Sequence, residues 1–339
     1  MHKILFLCKD RASYGEEYSP TYGLFNSATF ISNYLNFSGF ESKVEIVTDG
    51  NSIDKAVTDY KPEVVIIEAL WVTPNKFREL LKIHRHKKVL WVVRLHSKIP
   101  FLAHEGIAFP WLLEYKKIQE HFSNFKVSVN NLETSNDLEK VFNLECIYLP
   151  NIYYPKNKKQ HSKHHHKNHV DIGCFGSIRP MKNQLIQAVA SIEYGDDIDK
   201  DIHFHINVNR IEQHGDNVYK NLKALFHGSR HKLVEHLWMK HDEFIELVIT
   251  MDLGLQVSLS ETFNIVAADF IWNSIPFIGS KDIEWMPSIF KANPNSSEDI
   301  AKKMNLIMDT RSLGLYKINN LFLMWYNFNS ENIWEKFLN

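Results

Sequence analysis

The sequence predicts an α/β protein made of two doubly wound domains, and three observations point to it. Short runs that are apolar throughout alternate with amphipathic stretches along most of the chain. That is the pattern of a parallel sheet covered by helices on both faces. The alternation breaks once, from Pro150 to Val170, where PNIYYPKNKKQHSKHHHKNHV has no apolar period and is dense in Lys and His; it reads as an exposed linker. The 339 residues, 44% of them apolar, are enough for two ordinary domains with real cores.

Taken in order, the first half offers strands at Ile4–Cys8, Val44–Thr48, Glu63–Leu70, Val89–Leu95, Lys126–Val129 and Glu145–Leu149. Helical spacing fills the gaps at Leu24–Asn36, Ser52–Asp59, Lys76–Ile83, Trp111–Phe122 and Leu132–Phe142. Beyond the linker, strands are expected at Val170–Phe175, His203–Val208, Lys232–Leu237, Leu253–Val257 and Pro276–Ile278. Helices are expected at Gln184–Ile192, Asn217–Phe226, Asp242–Ile249, Asn264–Trp272, Ser297–Met308 and Glu331–Leu338. Ser296 or Ser297 is a fitting N-cap for the helix that carries Glu298 and Asp299 in its first turn. The layout is two Rossmann-like domains facing a central cleft. Residues 1–152 would be the N-terminal domain, 153–169 the linker, 170–320 the C-terminal domain and 321–339 a helical tail.

Composition excludes several classes. The net charge of −1 provides no global field for nucleic acid or anionic membrane. Cys8, Cys146 and Cys174 are few and unpatterned, which suits a reducing compartment without disulfides. MHKILFLCKD has too short an apolar run for a signal peptide, and no stretch reaches transmembrane length, so a cytoplasmic location is expected. Walker, paired-Cys, Gly-x-Ser-x-Gly and dinucleotide-glycine motifs are all missing. His161, His164, His165, His166 and His169 resemble a metal site, but they lie in the Lys-rich linker and read as a solvated strip.

Two blocks carry the chemistry. Gly176-Ser177-Ile178-Arg179-Pro180-Met181-Lys182-Asn183 places two cations after a strand, where a ligand of such a sheet binds. Arg179 can fork onto phosphate oxygens and Lys182 can act as a point charge; the alternative is a pair of surface cations. Glu261-Thr262-Phe263-Asn264-Ile265 then leads into a helix bearing Asp269. The N–H groups at that helix start suit phosphate. A carboxylate among Ile265, Val266, Ala267, Ala268, Phe270 and Ile271 needs a partner, which a ribose diol would supply; the alternative is an exposed acid.

These blocks resemble the retaining GT-B glycosyltransferases of the large family 4, whose signature is a Glu, seven residues, a second Glu and then a small-residue strand containing Pro. SLSETFNIVAADFIWNSIPFIGS matches it with Asp269 in place of the second Glu, and Asn264 stands where the family favours Gly or another small residue. GSIRPMKN is similar to the family's phosphate block, and the late AKKMNLIMD helix and the tail with Trp334 resemble its ending. The resemblance implies a nucleoside-diphosphate sugar as donor and transfer with retention. Arg179 and Lys182 would stabilise the diphosphate, Glu261 would orient the sugar, and Ser177, Thr262, Phe263, Asn264, Ile265 and Asp269 would complete the donor site. It also implies Gly23 near the donor phosphate, His96 beside the donor sugar and Trp238 at the base. Arg94, Lys98, His104 and Glu105 are candidate acceptor contacts. The resemblance requires no metal or other cofactor.

The compact first domain, with IEALWVTPNKF and RLHSKIPFLAHEGIAFPW, resembles enzymes carried in tailed-phage genomes. This makes a hydroxymethylated pyrimidine in phage DNA one acceptor candidate, with Lys156, Lys158, Lys159, Lys163 and Lys167 beside Arg94 and Lys98 as its phosphate contacts. A surface polysaccharide or lipid-linked glycan is the other candidate. A non-catalytic nucleotide-sugar-binding protein and a sugar epimerase of related fold are rival classes.

Overall fold

The computed structural model describes residues 2–10, 22–155, 158–159 and 168–339. The chain divides into two compact units, Met1–Pro155 with Asn327–Asn339, and Lys156–Tyr326.

The first unit runs β1 (Lys3–Lys9), α1 (Tyr22–Phe37), β2 (Glu41–Val47), α2 (Ser52–Tyr60), β3 (Val64–Glu68), α3 (Pro74–Lys82), β4 (Leu90–Leu95), α4 (Ile99–Leu102), α5 (Ala108–His121), β5 (Phe125–Val129), α6 (Leu132–Phe142) and β6 (Ile147–Tyr148). All six strands are parallel, in the order β2-β1-β3-β4-β5-β6. Alternate side chains leave opposite faces of a strand, and the core divides accordingly. Leu5, Leu7, Val65, Ile67, Trp91 and Val93 pack with α2, α3 and α5, while Ile4, Phe6, Ile66 and Val92 pack with α1 and the end of the chain. Each such side chain contributes roughly 1.5–3 kcal/mol on full burial. Local signals set the helix ends. Thr73 accepts from the Lys76 N–H ahead of Pro74, and Asn131 caps α6, which Asn143 ends at φ 49°.

The second unit runs β7 (His169–Gly173), α7 (Gln184–Asp197), β8 (Asp201–Asn207), α8 (Gly215–Phe226), β9 (Lys232–His236), α9 (His241–Val248), β10 (Leu253–Gln256), α10 (Ile265–Trp272), β11 (Phe277–Ser280), β12 (Lys291–Ala292) and α11 (Ser297–Asp309). Its strands are parallel in the order β12-β11-β10-β7-β8-β9. The order reverses between β7 and β10, and ligands of open parallel sheets bind beyond the strand ends at such a point. Gly173 and Gly254 are partners across that seam. A Cβ on Gly173 would come within 2.7 Å of the Phe270 ring, so the missing side chain lets α10 approach the sheet closely. Of the two N-cap candidates for α11, it is Ser296 that accepts from the Asp299 N–H, at 3.1 Å.

Two expectations need correction. The exposed linker was to begin at Pro150, yet Asn151, Ile152 and Tyr153 are buried. The cause is α12 (Ile318–Leu338), which begins well before the expected Glu331. From Asn327 onward it belongs to the first unit. Asn327 there bridges the N–H and carbonyl of Tyr153 at 3.0 and 2.8 Å, and the Trp334 indole donates to the Pro150 carbonyl at 2.8 Å. The stretch expected as a separate tail therefore completes a core, with Trp334 fully buried against Phe6. Of the linker, His161, His164, His165, His166, Lys156, Lys163 and Lys167 lie outside the described residues. No helix among the described residues is long and apolar enough to cross a membrane.

Candidate functional site

In the second unit the two motif blocks leave the carboxyl ends of β7 and β10, the strands at the topological reversal. Gly176 turns the first block at φ 114°, a conformation that only glycine adopts readily, and donates its N–H to Asn207 at 3.0 Å. Arg179 is extended and opens a short 3₁₀ turn over Pro180–Lys182. Asn183 follows at φ 58° and fixes the block to the rest of the unit, donating to the carbonyls of Val257 and Pro294 at 3.0 and 2.7 Å.

The second block meets the first through charge. Lys182 Nζ lies 2.6 Å from Glu261 and 3.2 Å from Gln256 Oε1, with both charged side chains about nine-tenths buried. Gln256 is the last residue of β10; it donates to the Phe175 carbonyl at 2.7 Å and accepts from Asn264 at 3.1 Å. Asn264 holds φ 56° and caps α10, its side chain accepting from the Ala267 N–H at 2.9 Å. The positive φ suits the residue found here. Glycine takes such a φ freely and Asn tolerates it, with capping as an added gain.

Arg179 does not stand alone. Its guanidinium lies 3.2 Å from Glu212, which also pairs with Arg210 at 2.7 Å. Burial pushes the Glu212 carboxyl up, but Arg210 and then Arg179 outweigh it and hold it below the usual range. Ser177 is buried and hydrogen-bonds Glu212. Asp269 is 2% exposed and sits 2.7 Å from His241 Nε2. Burial would lower the His241 pKa, yet the bond to Asp269 and its charge prevail and raise it. Thus His241 is a partner this acid has within the protein.

Other expected donor residues divide. Thr262 and Ile265 are half-buried at the mouth of α10. The Phe263 side chain was expected at the donor and instead turns into the core, stacking on Tyr326 at 5.5 Å and packing on Trp285 at 5.7 Å. Trp238, just past β9, is half-buried with the Arg210 guanidinium 5.1 Å above its ring. The sequence reading missed Glu212, Gln256 and His241. Gln256 alone left a trace, a polar residue closing the buried strand LGLQ.

The first unit holds a second polar cluster at the ends of β3 and β4. Arg94 was expected to touch an acceptor, but it is fully buried. It donates to both oxygens of Glu68 at 3.1 and 3.2 Å, to the Leu149 carbonyl at 2.9 Å and to Asn151 at 2.6 Å. Asn151 in turn donates to Ser27 and accepts from Asn130. His96 Nε2 bonds Glu68, and its Nδ1 lies 3.4 Å from the Asn130 amide. Burial dominates the His96 pKa and lowers it despite Glu68, so the ring is neutral, with Nε2–H donating to Glu68. Ala69 follows Glu68 at φ 72°, a conformation that costs roughly 1–2 kcal/mol for a residue with a Cβ. Lys98 is also buried, against Glu133 at 2.5 Å, so it too is not the open acceptor contact expected. His104 is exposed and Glu105 half-buried. Gly23 is the second residue of α1, where a Cβ would meet open space.

No protein-family profile matches the sequence, and no curated protein matches it. Solved structures do match. An E. coli trehalose-6-phosphate enzyme bound with UDP-2-fluoro glucose superposes with a TM-score of 0.68 at 10% identity, covering 99% of this chain and 98% of that one. Sucrose-phosphate synthase from Thermosynechococcus elongatus gives 0.69 at 11% identity, covering 100% and 98%. S. aureus TarM, in complex with UDP and other ligands, gives 0.63 at 15% identity, covering 86% and 57%. The fold is therefore α/β of the GT-B type, with two Rossmann-like units.

Proposed function

We propose that this chain is a retaining glycosyltransferase that moves a sugar from a nucleoside-diphosphate sugar to a hydroxyl acceptor. The observation that carries the reading is the meeting of Lys182 and Glu261, from two separate loops, at the topological reversal of the second sheet. A leaving diphosphate gains negative charge as the glycosidic bond breaks. Fixed cations stabilise that charge without reorganising. Lys182 and Arg179 are the cations in reach of the loop, and the N–H groups of Ile265 and Val266 precede the capped Ala267 in the first turn of α10, where no intrahelical acceptor exists. Glu261 orients the sugar hydroxyls, and Asp269 accepts from the ribose by exchanging its bond with His241. His96 and Gly23 belong to the same donor reading. Departure of the diphosphate and attack on the same face of the sugar then depend on positioning, with no metal needed. The UDP ligands named for the similar structures support a UDP-sugar as first choice of donor.

For the acceptor we favour a sugar or glycan hydroxyl. Of the cations read as DNA contacts, Arg94 and Lys98 are buried and Lys159 is paired with Glu246. That leaves a hydroxymethylated pyrimidine of phage DNA as the weaker alternative. The enzyme would act in the cytoplasm, that of the host if the chain is phage-encoded.

The test is a thermal-shift screen of nucleotide sugars, since a ligand of the native state raises stability by mass action, followed by radiolabel transfer to glycans, plain DNA and hydroxymethylated DNA. Arg179→Ala and Lys182→Ala should each reduce transfer at least tenfold, as expected for charged hydrogen bonds of about 1.5–3 kcal/mol. Full activity in both variants overturns the donor site. Label on DNA alone overturns the acceptor choice and leaves the donor site standing.

A further inference from the structure

The histidine-rich stretch ends inside the second sheet. His169 opens β7, and its ring stacks on that of His203 from β8, with centroids 3.8 Å apart and 19° between planes. The register sets Asp171 opposite His203, so His169, Asp171 and His203 project from one face of the sheet. His169 Nε2 and His203 Nδ1 each lie 3.4 Å from an oxygen of Asp171. The ligand atoms of all three residues fall within 4.8 Å of one another. A tetrahedral ion with bonds of about 2.0–2.2 Å has neighbouring ligand atoms about 3.4 Å apart.

Behind the carboxylate stands a second layer. His205 Nε2 lies 3.0 Å from Asp171 Oδ1, and His205 Nδ1 lies 2.8 Å from His236 Nε2. If Nε2–H of His205 donates to the carboxylate, its Nδ1 carries the lone pair and accepts from His236. Two imidazoles in series thus hold Asp171 from behind, as outer residues do for a metal-ligating carboxylate.

We propose that His169, Asp171 and His203 bind a divalent transition metal, zinc by ligand type, as a clip between β7 and β8. Nitrogen and carboxylate donors of this kind suit zinc better than calcium or magnesium. The site stands toward the amino end of β7, whereas the expected donor residues follow its carboxyl end. It is therefore independent of the transfer reaction, and transfer need not require the ion. From sequence the histidines read as a solvated strip, with no acid counted beside them. Asp171 is that acid, two positions past His169, and the other ligand comes from the adjacent strand.

The test titrates zinc chloride into the metal-stripped full chain by calorimetry, with Co²⁺ absorption as a check on coordination. Three variants are compared: His203→Ala, Asp171→Asn, and a linker variant with His161, His164, His165 and His166 all changed to Asn. One zinc should bind wild type and the linker variant with equal affinity and raise the melting temperature of both. His203→Ala, at a partly exposed position, and Asp171→Asn should each weaken that affinity at least a hundredfold. If the linker variant loses the tight zinc while His203→Ala keeps it, or if wild type binds only in the millimolar range, the proposal fails.

Discussion

Glu68→Gln should be among the most damaging isosteric changes in the chain. The side chains of Glu68 and Arg94 are fully buried, and Glu68 supplies the carboxylate that neutralises Arg94, which also donates to the neutral Leu149 carbonyl and Asn151. Removing one member of such a pair leaves an uncompensated buried charge, at a cost of about 3–5 kcal/mol. For a unit of this size each kcal/mol moves the melting temperature by roughly 2–4 °C, so a fall of roughly 6–20 °C is expected. Circular dichroism and calorimetry measure it, following the first unit through the fluorescence of its buried Trp91 and Trp334. The double variant Glu68→Leu, Arg94→Met should recover most of the loss, because a packed apolar pair has no charge to desolvate. The sign of the pH dependence follows from two depressed pKa values. Burial would raise Glu68, but Arg94 and then His96 hold it low. Its contribution is therefore present above an unfolded pKa of about 4.3 and lost as pH falls through the folded value. His96 is depressed too, by burial, so its contribution is complete above about 6.5 and is lost as pH falls below that. Acid should weaken the first unit from about pH 6.5 and more steeply below about pH 4.3. In Glu68→Gln the His96 ring should titrate lower still in an NMR experiment, since the anion that favours its charged form is gone. A melting-temperature change under about 2 °C for the single variant, or a double variant no better than the single, would refute this account.

Asp269→Asn should move the His241 titration from above its ordinary value to below it, because burial then acts without the carboxylate; an unchanged NMR titration would show that the pair does not exist in solution. In calorimetry the same variant should weaken nucleotide binding with the fold intact, and unchanged affinity would make Asp269 a purely structural acid. Transfer should survive EDTA, since Arg179 and Lys182 supply the positive field; complete loss restored by Mg²⁺ or Mn²⁺ would contradict the proposed chemistry.

The sheets were legible because their strands are apolar on both faces; β3, VVIIE, is buried along its whole length. What escaped was short or held by distant partners. β12 has two residues and α4 four, too few for a period to register. The long α12 was seen only at its end, because Leu321, Met324, Trp325 and Phe328 are exposed and blur its apolar stripe. At the site, the loops named Arg179, Lys182, Glu261 and Asp269, since charges after strand ends are conspicuous. Their partners Glu212, Gln256 and His241 come from other loops and strands, and only the folded register brings them near. Arg94 and Lys98 were misplaced for the converse reason. Charged residues are expected at the surface, and nothing local announces that Glu68 and Asn151 await one and Glu133 the other.

On the proposed reading, those partners change what donor binding must do. Arg179, Lys182 and Asp269 each hold an opposite charge or a histidine. A diphosphate arriving at Lys182 therefore competes with Glu261 for the ammonium. The bond to be exchanged is worth about 1.5–3 kcal/mol, as for other charge-assisted hydrogen bonds, so the competition can weaken nucleotide affinity by roughly ten- to a hundredfold. Glu261→Gln removes the competitor and leaves Lys182 in place beside Gln256. In that variant the free nucleoside diphosphate should bind more tightly, by at least several-fold, while sugar transfer falls because the carboxylate proposed to orient the sugar is gone. Calorimetry with the nucleoside diphosphate of the best donor, run beside a transfer assay, separates the two effects. Lys182→Ala must show the opposite pattern in binding, with loss of diphosphate affinity. If Glu261→Gln binds the diphosphate no better than wild type, Lys182 does not change partners on binding, and the ion pair is a strut of the fold rather than the resting state of a donor site.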